Sequence, residues 1–146
     1  MSGRVELADN IAHGPRPLTR ASALDATGEA VDLLVLLGLE EAQIEGEPDL
    51  VVELIDLYAE DTPRRLAAIR SAWAARDLAA LRRAAHGLKG SSASLGARPV
   101  ELLCEKLERL SDHELLQEGE VLLSRLERER ARAMLVFADE RDRRLR

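Results

Sequence analysis

Apolar residues along most of this chain recur every three or four positions, the period of a helix with one buried face. From Asp49 to Arg76 they fall at Val51, Leu54, Ile55, Leu57, Tyr58, Leu66, Ile69 and Trp73. Pro63 interrupts that stretch. Either Thr62 caps a fresh helix with Pro63 at its first position, or one long helix carries the proline and bends; the pattern leaves both open. From Asp77 to Leu95 the stripe is Leu78, Leu81, Ala85, Leu88, Ser92 and Leu95. Asp77 suits its N-cap and Gly96 its C-terminal stop. Pro99 suits the first turn of a further helix ending near Leu110. Ser111 and Glu114 have capping-box spacing for a last helix that continues to about Arg141. Its apolar side carries Leu115, Leu122, Leu126, Ala133, Val136 and Phe137, and Gly119 is a candidate to delay or interrupt it. A shorter helical segment starts near Glu29 and pauses at Gly38, and Glu45-Gly46-Glu47-Pro48 reads as a turn. Residues 1–28 show no sustained period and are punctuated by Gly, Pro, Asn and Ser, so they are expected to form a flexible tail that includes His13.

Four substantial amphipathic segments joined by short connections predict an all-α, up-and-down four-helix bundle over residues 29–146, with a short additional N-terminal helix. Composition agrees. Hydrophobic residues make up 46% of the chain but aromatics only 2%, so the apolar content is mostly Leu, Ala and Val, with few of the residues strands favour. A length of 146 residues suits one domain and a tail, and is too short for a bundle and an ATP-binding kinase domain together. The charge-rich run Glu127 to Arg132 reads as a solvated helix face.

Charge and apolar runs narrow the setting. A net charge of −6 argues against nucleic acid as a partner. The single cysteine, Cys104, allows no internal disulfide, and its place in ELLCEKL marks a buried thiol. The longest apolar run, Val31 to Leu39, is about half the ~20 residues a bilayer requires and contains Asp32. No membrane partner and a cytoplasmic location are expected, because the N-terminus lacks a signal-peptide pattern.

The helix from Asp77 to Leu95 has an unusual outer face. His86 lies about 100° around from the core residue Ala85. Its neighbours there are Ala79, Arg82, Lys89, Gly90 and Ala93, one ring between cations and residues with little or no side chain. Gly87 and Gly90 each cost roughly 1 kcal/mol relative to Ala in a helix interior. Access for another protein's backbone to the imidazole would compensate that cost. A nucleophilic histidine needs a free lone pair on one ring nitrogen. Lys89, one turn away, repels a second positive charge on the ring and can neutralise phosphoryl oxygens; Arg82 can help from the other side. Other chemistries find less support. No Glu-x-x-His pair occurs at His86 or His113, and Ser91 and Ser92 have no base placed by a hydrolase motif. His113, between Asp112 and Glu114, is expected to be solvated.

The stretch Ala85-His86-Gly87-Leu88-Lys89-Gly90-Ser91-Ser92, followed by Leu95-Gly96-Ala97, resembles the signature of histidine-containing phosphotransfer (HPt) domains. The similarity extends more weakly from about residue 31 to 140. It takes in Leu57-Tyr58-Ala59-Glu60-Asp61-Thr62-Pro63 and Cys104 to Glu108 (CEKLE), with Tyr58 where phenylalanine is commoner. The resemblance implies a four-helix bundle with the histidine exposed near the middle of one helix. It implies that His86 exchanges a phosphoryl group with a receiver-domain aspartate, or receives it from a kinase, and that Lys89 contacts the phosphate. Arg82, Gly90, Ala93 and Ser92 are expected at the partner-binding surface, Gly90 giving the receiver room and Ser92 packing or hydrogen-bonding beneath the site. No cofactor of its own is expected, with Mg²⁺ supplied in the partner receiver domain. The chain is expected to act as a monomer without kinase activity, serving a response-regulator receiver domain or a hybrid histidine kinase. The alternative is a non-transferring adaptor or inhibitor that uses the same face only to bind.

Overall fold

The computed structural model describes residues 29–146; the expected tail, with His13, lies outside them. Five helices follow in order: α1 Leu33–Glu40, α2 Leu50–Ala74, α3 Leu78–Leu95, α4 Arg98–Arg109 and α5 Asp112–Leu145. Helix α2 packs on α3, α3 on α4, α4 on α5, and α5 returns to α2, while α1 lies against α2 and α3. The connections within this ring are only two or three residues long, so successive helices alternate in direction. This is the up-and-down bundle with an extra N-terminal helix that the apolar pattern predicts.

Helix ends follow local chemistry. Asp32, Asp49 and Asp77 cap α1, α2 and α3 by accepting from the backbone N–H of Leu34, Val52 and Ala80. Ser111 and Glu114 complete a reciprocal capping box at α5, with bonds of 3.0 and 3.2 Å. Gly96 ends α3 at φ 78°, a conformation side chains resist, and the N–H groups of Gly96 and Ala97 return to the carbonyls of Ala93 and Ser92. The Gly96 carbonyl in turn accepts from Asp32 N–H at 2.7 Å, which ties the start of α1 to the end of α3. Helix α1 runs on through Gly38, where the sequence pattern pauses.

Two questions left open by the sequence are resolved by packing. Helix α2 is one continuous helix of 25 residues with Pro63 inside it. Thr62 is not a cap: it is buried, and its Oγ1 accepts from Arg130 Nε of α5 at 3.0 Å. Helix α5 likewise continues through Gly119 and ends at Leu145, beyond the expected Arg141. Gly119 is buried, and a Cβ there would overlap the Trp73 ring of α2. Its lack of a side chain lets α2 and α5 approach.

The core contains every apolar residue expected on α5, and Phe137 packs edge-on against Tyr58 with ring centroids 5.4 Å apart. Leu57 departs from expectation. It is exposed, because the buried stripe of α2 passes through Ile55 and Tyr58 at that turn. The run from Glu127 to Arg132 is not a fully solvated face either. Glu127 pairs with Arg70 of α2, and Arg132 is buried beside Glu129. At 1.5 Å per residue α5 is ~51 Å long against ~18 Å for α4. Its overhanging end is held by charge: Arg141 to Asp56 of α2, and Arg144 to Glu140, Asp49 and Glu40. Among the described residues no helix is long and apolar enough to cross a membrane.

Alanine is the better helix former, yet Gly119→Ala is expected to lower stability by about 1–3 kcal/mol, because the added methyl overpacks against Trp73. Urea unfolding checks this; an unchanged or higher midpoint would contradict the close approach of α2 and α5.

Candidate functional site

Helix α3 buries Leu81, Ala85, Leu88, Ser92 and Leu95 and turns its opposite face outward. His86 stands mid-helix on that face with its side chain 69% exposed. The ring is held by a residue from α4. Glu108 places one carboxylate oxygen 2.7 Å from His86 Nδ1 and the other 2.7 Å from Lys89 Nζ. Burial works to raise the Glu108 carboxyl, but hydrogen bonds from Lys89 and His86 outweigh it and hold the group below the usual carboxylate range. An ionised carboxylate only accepts, so Nδ1 carries the hydrogen, and in the neutral ring Nε2 keeps the lone pair. Lys89 is correspondingly raised, first by its hydrogen bond to Glu108.

This arrangement revises the role of Lys89. Its charge is shared with Glu108 rather than turned on the ring to repel a second positive charge there, and the ring is oriented by that carboxylate. Sequence reasoning singled out His86 and Lys89 but gave no role to Glu108. It lies 22 residues from His86 in sequence, so no helical projection of α3 contains it. The only available signal was its place at the end of the CEKLE stretch.

The bare part of the face is where it was expected. Gly90 and Ala93 are exposed, and a Cβ built at Gly90 meets nothing within 4 Å. Three expectations need correction. Ser92 is not at the partner-binding surface, because it is fully buried; its Oγ lies 2.8 Å from the Tyr58 hydroxyl of α2, a hydrogen bond beneath the site of the kind the resemblance implies. That pair joins α2 to α3 beneath the site, and burial pushes the Tyr58 phenol up to about 12 despite the Ser92 hydrogen bond. Arg82 is not free to face a phosphoryl group. Its guanidinium donates to the Leu110 carbonyl at 2.9 Å and to Asp112 at 2.8 Å, fastening α3 to the α4–α5 turn. Gly87 does not clear space for a partner, because Arg65 of α2 already lies there and a Cβ would overlap its guanidinium.

The remaining candidates carry little chemistry. His113 is exposed in the first turn of α5. Ser91 Oγ donates to its own helix carbonyls at Gly87 and Leu88. Cys104 is buried, and its thiol is pushed up to about 12 by that burial and then by the nearby Glu108 charge. Among the described residues no group of His, Cys, Asp and Glu is arranged to hold a metal ion.

A helical bundle with one oriented, exposed histidine on a bare face defines a class of protein, and comparison with known families agrees. The model of the Hpt domain matches residues 53–137, a span that holds His86, Lys89 and Glu108. The chain belongs to the Hpt domain family. Among solved structures it is similar to histidine-containing phosphotransfer protein B (HptB) from Pseudomonas aeruginosa PAO1. The TM-score is 0.69 at 32% identity, covering 78% of this chain and 96% of that one. Among curated proteins it is similar to the phosphorelay intermediate protein rdeA of Dictyostelium discoideum, 26% identical over 95 residues. That match takes in 65% of this chain but 37% of rdeA, so the chain spans little more than a third of that relative's length.

The depressed Glu108 carboxyl has a measurable consequence. Its contribution to stability is fully present above the unfolded carboxyl value of 4.5 and is lost as pH falls through the lower folded value. Glu108→Gln is therefore expected to be less stable than wild type near neutral pH, with the gap closing on acidification below about pH 4.5. Denaturant midpoints across pH test this. A gap of constant size would show that the carboxylate's charge is not what is lost.

Proposed function

We propose that this chain is a phosphorelay intermediate. It accepts a phosphoryl group on His86 from a receiver-domain aspartate or a kinase, and passes it to a response-regulator receiver domain. One observation carries the reading: His86 is exposed, held through Nδ1 by an ionised carboxylate, and offers Nε2 beside the unobstructed Gly90–Ala93 face. In the forward step Nε2 uses its lone pair to form a P–N bond as the P–O bond of the aspartyl phosphate breaks, and the carboxylate leaves with the electron pair. The imidazole thereby gains a positive charge, countered by Glu108 at Nδ1–H. Lys89, one turn along, is the cation for the phosphoryl oxygens once the group is attached. Mg²⁺ and the reacting aspartate belong to the partner, and the chain supplies position and charge, which is most of what phosphoryl transfer requires.

On this reading the chain has no kinase activity of its own and works in the cytoplasm, as a monomer that meets receiver domains in turn. The adaptor reading uses the same face without transfer; an oriented Nε2 is superfluous to binding alone, so the relay is the better account.

Incubation with a phosphorylated receiver domain and Mg²⁺ is expected to place acid-labile, base-stable label on the chain. His86→Gln should abolish the label while leaving helicity unchanged. Lys89→Ala should slow transfer or shorten the lifetime of the phosphohistidine. Label that persists in His86→Gln would remove His86 from the mechanism, and stable binding without label would favour the adaptor.

A further inference from the structure

The cations around His86 divide into two unlike pairs. On a helix, Arg82 and Lys89 lie about 40° and 60° to one side of His86, while Arg83 and Gly87 lie about 60° and 100° to the other. The first side faces α4, and both its cations are engaged there: Lys89 with Glu108, Arg82 with Asp112 and the Leu110 carbonyl. The second side faces α2 and differs in kind. Arg83 is exposed and has no ion-pair partner among the described residues. Arg65 reaches across from α2 into the space left by Gly87, with its side chain 38% exposed. Its Nε is anchored on Asp61, whose carboxyl is held below the usual range first by that hydrogen bond. The Nη hydrogens of Arg65 have no acceptor among the described residues.

A guanidinium fixed through Nε with its outer edge uncommitted is prepared to receive a carboxylate, because less rotamer freedom remains to be lost on contact. Gly87 is what permits the placement, and this gives its mid-helix cost a cause. The partner's chemistry fits. A site that holds Mg²⁺ beside a phosphoryl-accepting aspartate is built from oxygen ligands, several of them carboxylates, and so has an acidic rim.

We propose that Arg65 and Arg83 form a basic ledge on the α2 side of His86 that docks the acidic rim of the partner receiver domain. The proposal rests on the phosphorelay reading above. The ledge acts on encounter and orientation, not on the phosphoryl group, because Glu108 draws the imidazole toward α4 and away from Arg65.

The test uses the full chain with two phosphodonors, a phosphorylated receiver domain with Mg²⁺ and the small molecule phosphoramidate. Arg65→Ala and Arg83→Ala are each expected to raise KM for the receiver about three- to tenfold with kcat little changed, and to weaken the salt dependence of transfer. Labelling by phosphoramidate should match wild type. Gly87→Ala should reproduce the Arg65→Ala effect by displacing the guanidinium, and should add nothing in the Arg65→Ala background. Arg83 is exposed, so Arg83→Ala keeps the test independent of any loss of folding at Arg65. Wild-type KM in Arg65→Ala and Arg83→Ala would overturn the ledge. So would an equal loss with phosphoramidate, which would place these arginines at the phosphoryl group instead. If wild type takes label from neither donor, the phosphorelay reading fails and the ledge with it.

Discussion

Helix α3 must bury one face against its neighbours while leaving the opposite face bare, and the rest of the structure is arranged around that constraint. Ser92 is in the buried stripe, which is why its hydroxyl is matched to Tyr58; an unmatched hydroxyl there would cost about 1–3 kcal/mol. The bare face cannot supply its own anchors, so they come from the flanks. Helix α4 contributes Glu108 and α2 contributes Arg65. His86 is thus a residue of α3 whose orientation is decided by α4.

The bundle was readable from the sequence because its information is local. Caps at Asp77, Ser111 and Gly96, and the three-and-four spacing of Leu81, Ala85 and Leu88, depend on residues within a turn or two. The placement of His86, Lys89 and Gly90 on the outer side of α3 was readable for the same reason. What was not readable is what another helix brings. Glu108, Arg65 and the Thr62–Arg130 bond connect positions on different helices, and a projection of one helix has no view of its neighbours. The glycines show the difference well. Gly87, Gly90 and Gly119 look alike in sequence, yet one makes room for an arginine, one stays open and one meets a tryptophan ring.

Charge is deployed unevenly. At the far end of the molecule Arg144 gathers Glu140, Asp49 and Glu40, joining α5, the start of α2 and α1. The short α1 is fastened at its other end by the Asp32–Gly96 backbone bond. Near His86 the arginines on the α2 side differ, because Arg65 is bonded only through Nε and Arg83 has no ion-pair partner among the described residues.

The open patch at Gly90 and Ala93 has a consequence for selectivity. A surface with almost no side chains cannot read a partner's sequence; it sorts by contour alone, admitting any body smooth enough to lie flat on a helix. Discrimination must then come from the margins, where charged groups stand, and these can change without disturbing the reactive ring. On the phosphorelay reading proposed above, such a division between an indifferent centre and a discerning edge would let one histidine serve several clients, with preference among them adjusted by single substitutions at the rim.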